Sequence, residues 1–211
     1  VTGLVAGAGN GVYSVANIQA GTGLDRYAGW ALAIVYRNTA EDMRSLRIYD
    51  GFGSITSGTV NIPVTGFETP HTGTVHARIG AVAYEGDLGK SGDILRLNGQ
   101  SLSDAANPAN NVFNSTASDD GVILGGRDPT HQNLFGVDID QFDAGGILTN
   151  GATSATLAMS TAGETYYPGV ITFAIDLYAP KITTAVTGTD VDGGDLLPGD
   201  VLEYRIAVRN D

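Results

Sequence analysis

Apolar and polar residues alternate with a period of two along much of this chain. Leu46 and Ile48 alternate with Ser45 and Arg47, and an apolar run over 31–36 follows Trp30. Alternation of this kind sends one face of a strand into a core and the other into solvent. The pattern predicts strands over 11–17, 29–37, 45–49, 59–64, 73–84, 94–97, 121–124, 136–140, 154–160 and 170–178. Turn clusters such as Asp50-Gly51, Ser91-Gly92-Asp93, Asn98-Gly99 and Asn150-Gly151 separate them. Many short strands with this punctuation read as an all-β fold, a jelly-roll-like antiparallel β-sandwich with a C-terminal β extension. The best helical stretch, 101–112, contains Pro108 and lacks a 3.6-residue period, so it reads as a loop with one helical turn. Without crossover helices, a parallel α/β sheet is excluded.

Alternate apolar residues give the expected core: Trp30, Leu32, Ile34, Leu46, Ile48, Val82, Leu157, Ile171, Phe173 and Ile175. Ala179-Pro180 marks a boundary, because proline cannot donate to a ladder and favours an extended joint. The sandwich is therefore expected over 1–179 and a separate segment over 180–211. That segment carries two strands, 181–187 and 201–208, which cannot close a core alone. Their apolar residues (Ile182, Val186, Val201, Leu202, Tyr204, Ile206, Val208) are sticky until covered. The expected cover is either the sandwich or a second molecule reached by strand addition, which would make a homo-oligomer.

Composition narrows the classes. The 211 residues carry 11 basic and 23 acidic side chains, a formal net charge of −12, with 30 glycines and no cysteine. An acidic, lysine-poor surface excludes nucleic acid and electrostatic docking to anionic membranes. No apolar run approaches the ~20 residues that cross a bilayer as a helix, so no membrane insertion is expected. Disulfides and thiolate chemistry are excluded. Starting at Val1 without a signal peptide, the sequence reads as an internal piece of a longer polypeptide.

Candidate chemistry is sparse. The three histidines form no triad order and no Gly-x-Ser-x-Gly elbow occurs. Gly7-Ala8-Gly9-Asn10-Gly11 lacks the helix and distant acid of a dinucleotide site and reads as a turn before a strand at Val12. Asp138 and Asp140 share one face of a strand, about 7 Å apart by the strand rise. That spacing suits a glycan hydrolase, but the polar context reads as an open, solvated or cation-binding edge and implies no raised pKa. Hard oxygen ligands in loops make calcium the most credible cofactor. Its candidate ligands are Asp87 and Asp93 with Glu85, Asp138 and Asp140 with Asp143, the loop Asp119-Asp120, and, as a fourth loop, Asp190, Asp192 and Asp195. Tyr166 and Tyr167 are the candidate ligand-contact aromatics.

The C-terminal segment carries a resemblance. Ala179-Pro180-Lys181-Ile182-Thr183, Asp190-Val191-Asp192-Gly193-Gly194, Leu197-Pro198-Gly199-Asp200 and Leu202-Glu203-Tyr204-Arg205-Ile206 look like the opening of the Ig-like conserved repeat of prokaryotic surface proteins. Upstream, Tyr13-Ser14-Val15-Ala16-Asn17, Tyr27-Ala28-Gly29-Trp30-Ala31-Leu32, Leu46-Arg47-Ile48-Tyr49-Asp50-Gly51-Phe52 and Phe173-Ala174-Ile175-Asp176-Leu177-Tyr178 resemble a lectin-like module that precedes such repeats. The resemblance implies an extracellular address, at the cell surface or secreted, and no catalytic residues. The function expected from it is a non-enzymatic surface module acting in adhesion or assembly, with surface proteins or glycans as partners. A calcium-assisted carbohydrate-binding module is the alternative, and a glycan hydrolase the third reading. Lys181, Asn210 and Glu203 also supply the residue types of an isopeptide crosslink.

Overall fold

The computed structural model describes residues 1–24, 26, 28–128, 130–178 and 182–210. It divides into two units, Val1–Leu177 and Tyr178–Asp211. The proline joint expected at 179–180, and Lys181, lie outside the described residues.

The first unit is an all-β sandwich. One sheet has six strands: β1 (Arg44–Asp50), β3 (Ala77–Tyr84), β6 (Ala117–Asp119), β7 (Val122–Ile123), β8 (Val137–Asp143) and β10 (Tyr167–Asp176). Their order is β1-β10-β3-β8-β6-β7. The other sheet has four, β2 (Gly58–Thr65), β4 (Ile94–Leu97), β5 (Gln100–Ser101) and β9 (Ser154–Thr161), in the order β2-β9-β4-β5. Pairing between these strands is antiparallel except between β6 and β8, which run parallel. The core forms between the sheets. Ile79, Phe142, Ile171, Phe173 and Ile175 come from the first sheet, and Val64, Leu95, Leu97, Leu157 and Met159 from the second.

Residues opposite each other in a ladder share a face, so the inward face of β10 fixes that of β1. Phe173 pairs with Arg47 and Ile171 with Tyr49, which turns Ser45 and Tyr49 inward. Leu46 and Ile48 therefore face outward, 42% and 44% exposed, contrary to the expected core. Val82, Leu157, Ile171, Phe173 and Ile175 are buried as expected.

The expected strands over 11–17 and 29–37 do not form. Residues 31–36 are apolar at consecutive positions rather than alternate ones, and no neighbouring strand supplies a ladder. Trp30, Ile34, Val35 and Tyr36 are exposed and Leu32 is half-buried, so Trp30, Leu32 and Ile34 leave the expected core. Gly29 nevertheless lies against the outer face of the large sheet, where a Cβ would collide with Val137. Gly7 and Ala8 end the helix α1 (Thr2–Ala8), which Gly9 caps with φ 60°, rather than forming a turn before a strand. Region 102–112 is a loop, as its Pro and Asn content predicts.

The second unit is a hairpin of β11 (Ile182–Asp190) and β12 (Leu202–Asn210), paired in register from Ile182↔Asn210 to Asp190↔Leu202. One face carries Ile182, Val186, Leu202, Tyr204, Ile206 and Val208; the other carries threonines with Glu203, Arg205 and Arg209. The tyrosine ring of Tyr204 lies over Gly188, which has no side chain to displace it.

Candidate functional site

The register of β8 on β3 decides the fate of the paired aspartates. Asp138 stands opposite Ala83, Asp140 opposite Ala81 and Phe142 opposite Ile79, so the carboxyl groups enter the sandwich interior beside Phe142. The two alanines leave the volume that the carboxyl groups fill. Asp138 is 0% exposed and Asp140 1%. The open edge expected for them is corrected: they share a face, but that face is the inner one.

Around them lies a polar interior built from loops. Asp138 Oδ1 accepts the Thr116 amide at 3.1 Å. Its Oδ2 meets no donor and lies under Gly86, where a Cβ would collide with both that oxygen and the Phe113 carbonyl. Ser118 Oγ lies 2.8 Å from Asp140 Oδ1 and 2.6 Å from Asn107 Oδ1. Asn107 in turn donates Nδ2 to the Val112 carbonyl at 3.0 Å, which fixes its amide orientation. The one hydroxyl proton of Ser118 is shared between two acceptors, Asp140 Oδ1 and Asn107 Oδ1.

Burial dominates the electrostatics. Burial raises Asp140 to about 7 against the pull of Ser118 and Asn107, and the negative Asp104 adds to the rise. Burial, then the charge of Asp140, then that of Asp93, raises Asp138 well above the carboxylate range, while the amides of Thr116 and Ser115 oppose it. The raised pKa that the pair's polar sequence context does not imply is present in both. Arg44, His71 and Arg78 form ion pairs on the surface.

Asp93, just before β4, is also buried, with Oδ2 accepting the Phe113 amide at 2.5 Å. Its carboxyl faces that of Glu164, within hydrogen-bonding reach. Burial is the main cause that raises both, Glu164 to about 8, with Asp93 and Asp87 adding to the Glu164 rise and Lys90 opposing it. Burial and these two carboxyls also raise the Tyr166 hydroxyl.

Asp87 is exposed and lines a polar pocket of about 150 Å³ with Glu85, Leu88, Ser115, Asn133, Phe135 and Gly136. Glu85, Ser115 and Phe135 all hold left-handed backbone there, φ 71°, 62° and 53°. Such conformations cost free energy for side chains with a Cβ and concentrate at functional sites. The Ser115 hydroxyl donates to the Gly86 carbonyl and accepts the Gly136 amide, holding three loops together.

Tyr166 is fully buried, with its ring 4.9 Å from that of Phe113 and its hydroxyl donating to the Ser160 carbonyl. It is a core residue, not the surface contact expected. Tyr167 is half-buried and stacks at 5.5 Å on the exposed Phe52. The remaining acidic loops act locally. Asp119 and Asp120 pair with Arg78, Asp143 accepts the Gly145 amide, and Asp190 and Asp192 accept amides of their own hairpin loop. Among the described residues, no three His, Cys, Asp or Glu side chains are placed to hold one ion together.

Sequence reasoning missed Glu164, Ser118, Asn107 and Phe135. Glu164 and Phe135 carry no motif, and only the fold brings Glu164 to Asp93. Compared with known proteins, the chain matches no family model, no curated protein and no solved structure.

Proposed function

We propose that the chain is a non-enzymatic structural and assembly module of a secreted or cell-surface protein, with the β11–β12 hairpin as its assembly element. The observation that carries this reading is the hairpin's apolar face. Its six large side chains are between 43% and 66% exposed, while the opposite face is polar. A two-stranded sheet is marginal alone and gains stability when another β layer covers its apolar face. The resemblance to an Ig-like stalk repeat supports the same role. Burial of Asp138 and Asp140 also weighs against hydrolysis, since a sealed carboxyl can neither protonate a glycosidic oxygen nor activate water.

Sedimentation velocity over a concentration series tests the assembly. The full chain self-associates, and Ile206→Asp returns it to a monomer. A full chain that stays monomeric at every concentration contradicts the proposal.

One observation favours carbohydrate binding as a second reading. Three left-handed non-glycine residues line a single polar pocket, and one of them is the exposed aromatic Phe135. Aromatic faces with nearby polar groups suit sugar rings. A glycan array read with and without chelator tests it, and binding lost in Phe135→Ala supports it. Arrays flat across all glycans dismiss it.

A further inference from the structure

Glu164 differs from the other buried acids, since Asp93, Asp138 and Asp140 each have one oxygen on a donor. Asp119 and Asp120 have Arg78, and Asp140 has Ser118. Glu164 is only 4% exposed, yet neither of its carboxyl oxygens meets a donor, and Asp93 Oδ1 meets none either. Unpartnered buried carboxylates are costly, and facing ones add repulsion. Something must supply positive charge between them, a proton or a metal ion.

We propose that the facing carboxyl groups of Asp93 and Glu164 bind a hard divalent cation, calcium foremost. The chemistry is all-oxygen, which calcium and magnesium prefer. Calcium takes six to eight oxygens and accepts backbone carbonyls and water beside carboxylates, so two carboxyl groups suffice as its charged ligands. Magnesium demands stricter octahedral geometry and keeps more of its water, which suits a pair buried at this depth less well. The surroundings favour a cation further. Asp87 adds negative charge to Glu164, and Lys90 opposes it. The loop approach is close-packed: at Gly92 a Cβ would collide with the Gly163 backbone, so the segments carrying Asp93 and Glu164 touch there. A bound ion would therefore pin the start of β4 to the turn after β9. The inference is independent of both the hairpin assembly and the sugar-binding reading.

The test uses the full chain stripped with chelator, then returned to calcium chloride or to sodium chloride of equal ionic strength. Calcium a hundredfold above its dissociation constant raises the thermal midpoint of the sandwich by roughly 5–10 °C. Glu164→Gln removes the buried charge at nearly constant volume, so it melts at or above the wild type in chelator and no longer responds to calcium. Asp93→Asn is read the same way if Glu164→Gln does not fold. Terbium emission sensitised by the neighbouring Tyr166 gives a second readout; it appears in the wild type, falls with added calcium and weakens in Tyr166→Phe. A midpoint that calcium leaves in place overturns the site and leaves the pair sharing a proton. A calcium response of equal size in Glu164→Gln overturns it as well.

Discussion

Ser118 on β6 holds its hydroxyl 2.8 Å from the Asp140 carboxyl on β8, across the one parallel strand pair of the sandwich. Burial lifts that carboxyl to about 7 in the fold, against the pull of Ser118 and Asn107. In the unfolded chain it ionises near the ordinary value of 3.8.

That difference makes stability depend on pH. The folded pKa is raised to about 7, so the stabilisation is full below about pH 4 and is lost as pH rises through 7. A rise of about three units corresponds to roughly 4 kcal/mol as an upper bound. Asp138 acts in the same direction. In chelator, urea denaturation should give a higher midpoint at pH 5 than at pH 8. Asp140→Asn, which ionises in neither state, should flatten much of that slope. A wild-type midpoint that increases from pH 5 to pH 8 would contradict the raised pKa of Asp140.

Phe173 is fully buried, opposite Ile79 in the ladder. Phe173→Ala should cost roughly 3–5 kcal/mol in chemical denaturation. A loss under about 1 kcal/mol would place the ring at the surface.

Outward-facing Ile48 gives the complementary test of register. Ile48→Thr keeps a β-branched side chain on the solvent face, so it should change stability by no more than about 0.5 kcal/mol. A core-sized loss would mean that β1 is shifted by one residue on β10.

Gly86 has no room for a side chain between the Asp138 carboxyl and the Phe113 carbonyl. Gly86→Ala should cost roughly 1–3 kcal/mol by overpacking. Gly89→Ala, in open space on the same loop, serves as its control. Equal melting temperatures for the two variants would show that the loop moves aside freely.

Much of this architecture is legible in the chain. Strand β4 spans the four residues its alternation marks, and the hairpin's apolar face follows directly from Ile182, Val186, Tyr204, Ile206 and Val208. What local pattern cannot carry is sidedness. Leu46 and Ile48 alternate correctly, yet the pairing of β1 with Phe173 turns them outward. The same limit applies to Asp138 and Asp140. Their spacing gives a shared face, but only the opposed Ala83 and Ala81 make it the interior. Strand β6 is three residues long and pairs in parallel with β8, past the intervening β7, so no periodicity announces it. Glu164 is a lone acid in a turn, and its significance lies wholly in meeting Asp93.

The central claim is that another β layer covers the hairpin's apolar face. Hydrogen exchange of the β11 and β12 amides in the full chain, measured from low to high protein concentration, tests it most directly. Protection of 182–190 and 202–210 should increase with concentration while that of β3 and β10 stays constant. Exchange in the hairpin at one rate over the whole range would contradict assembly through this face.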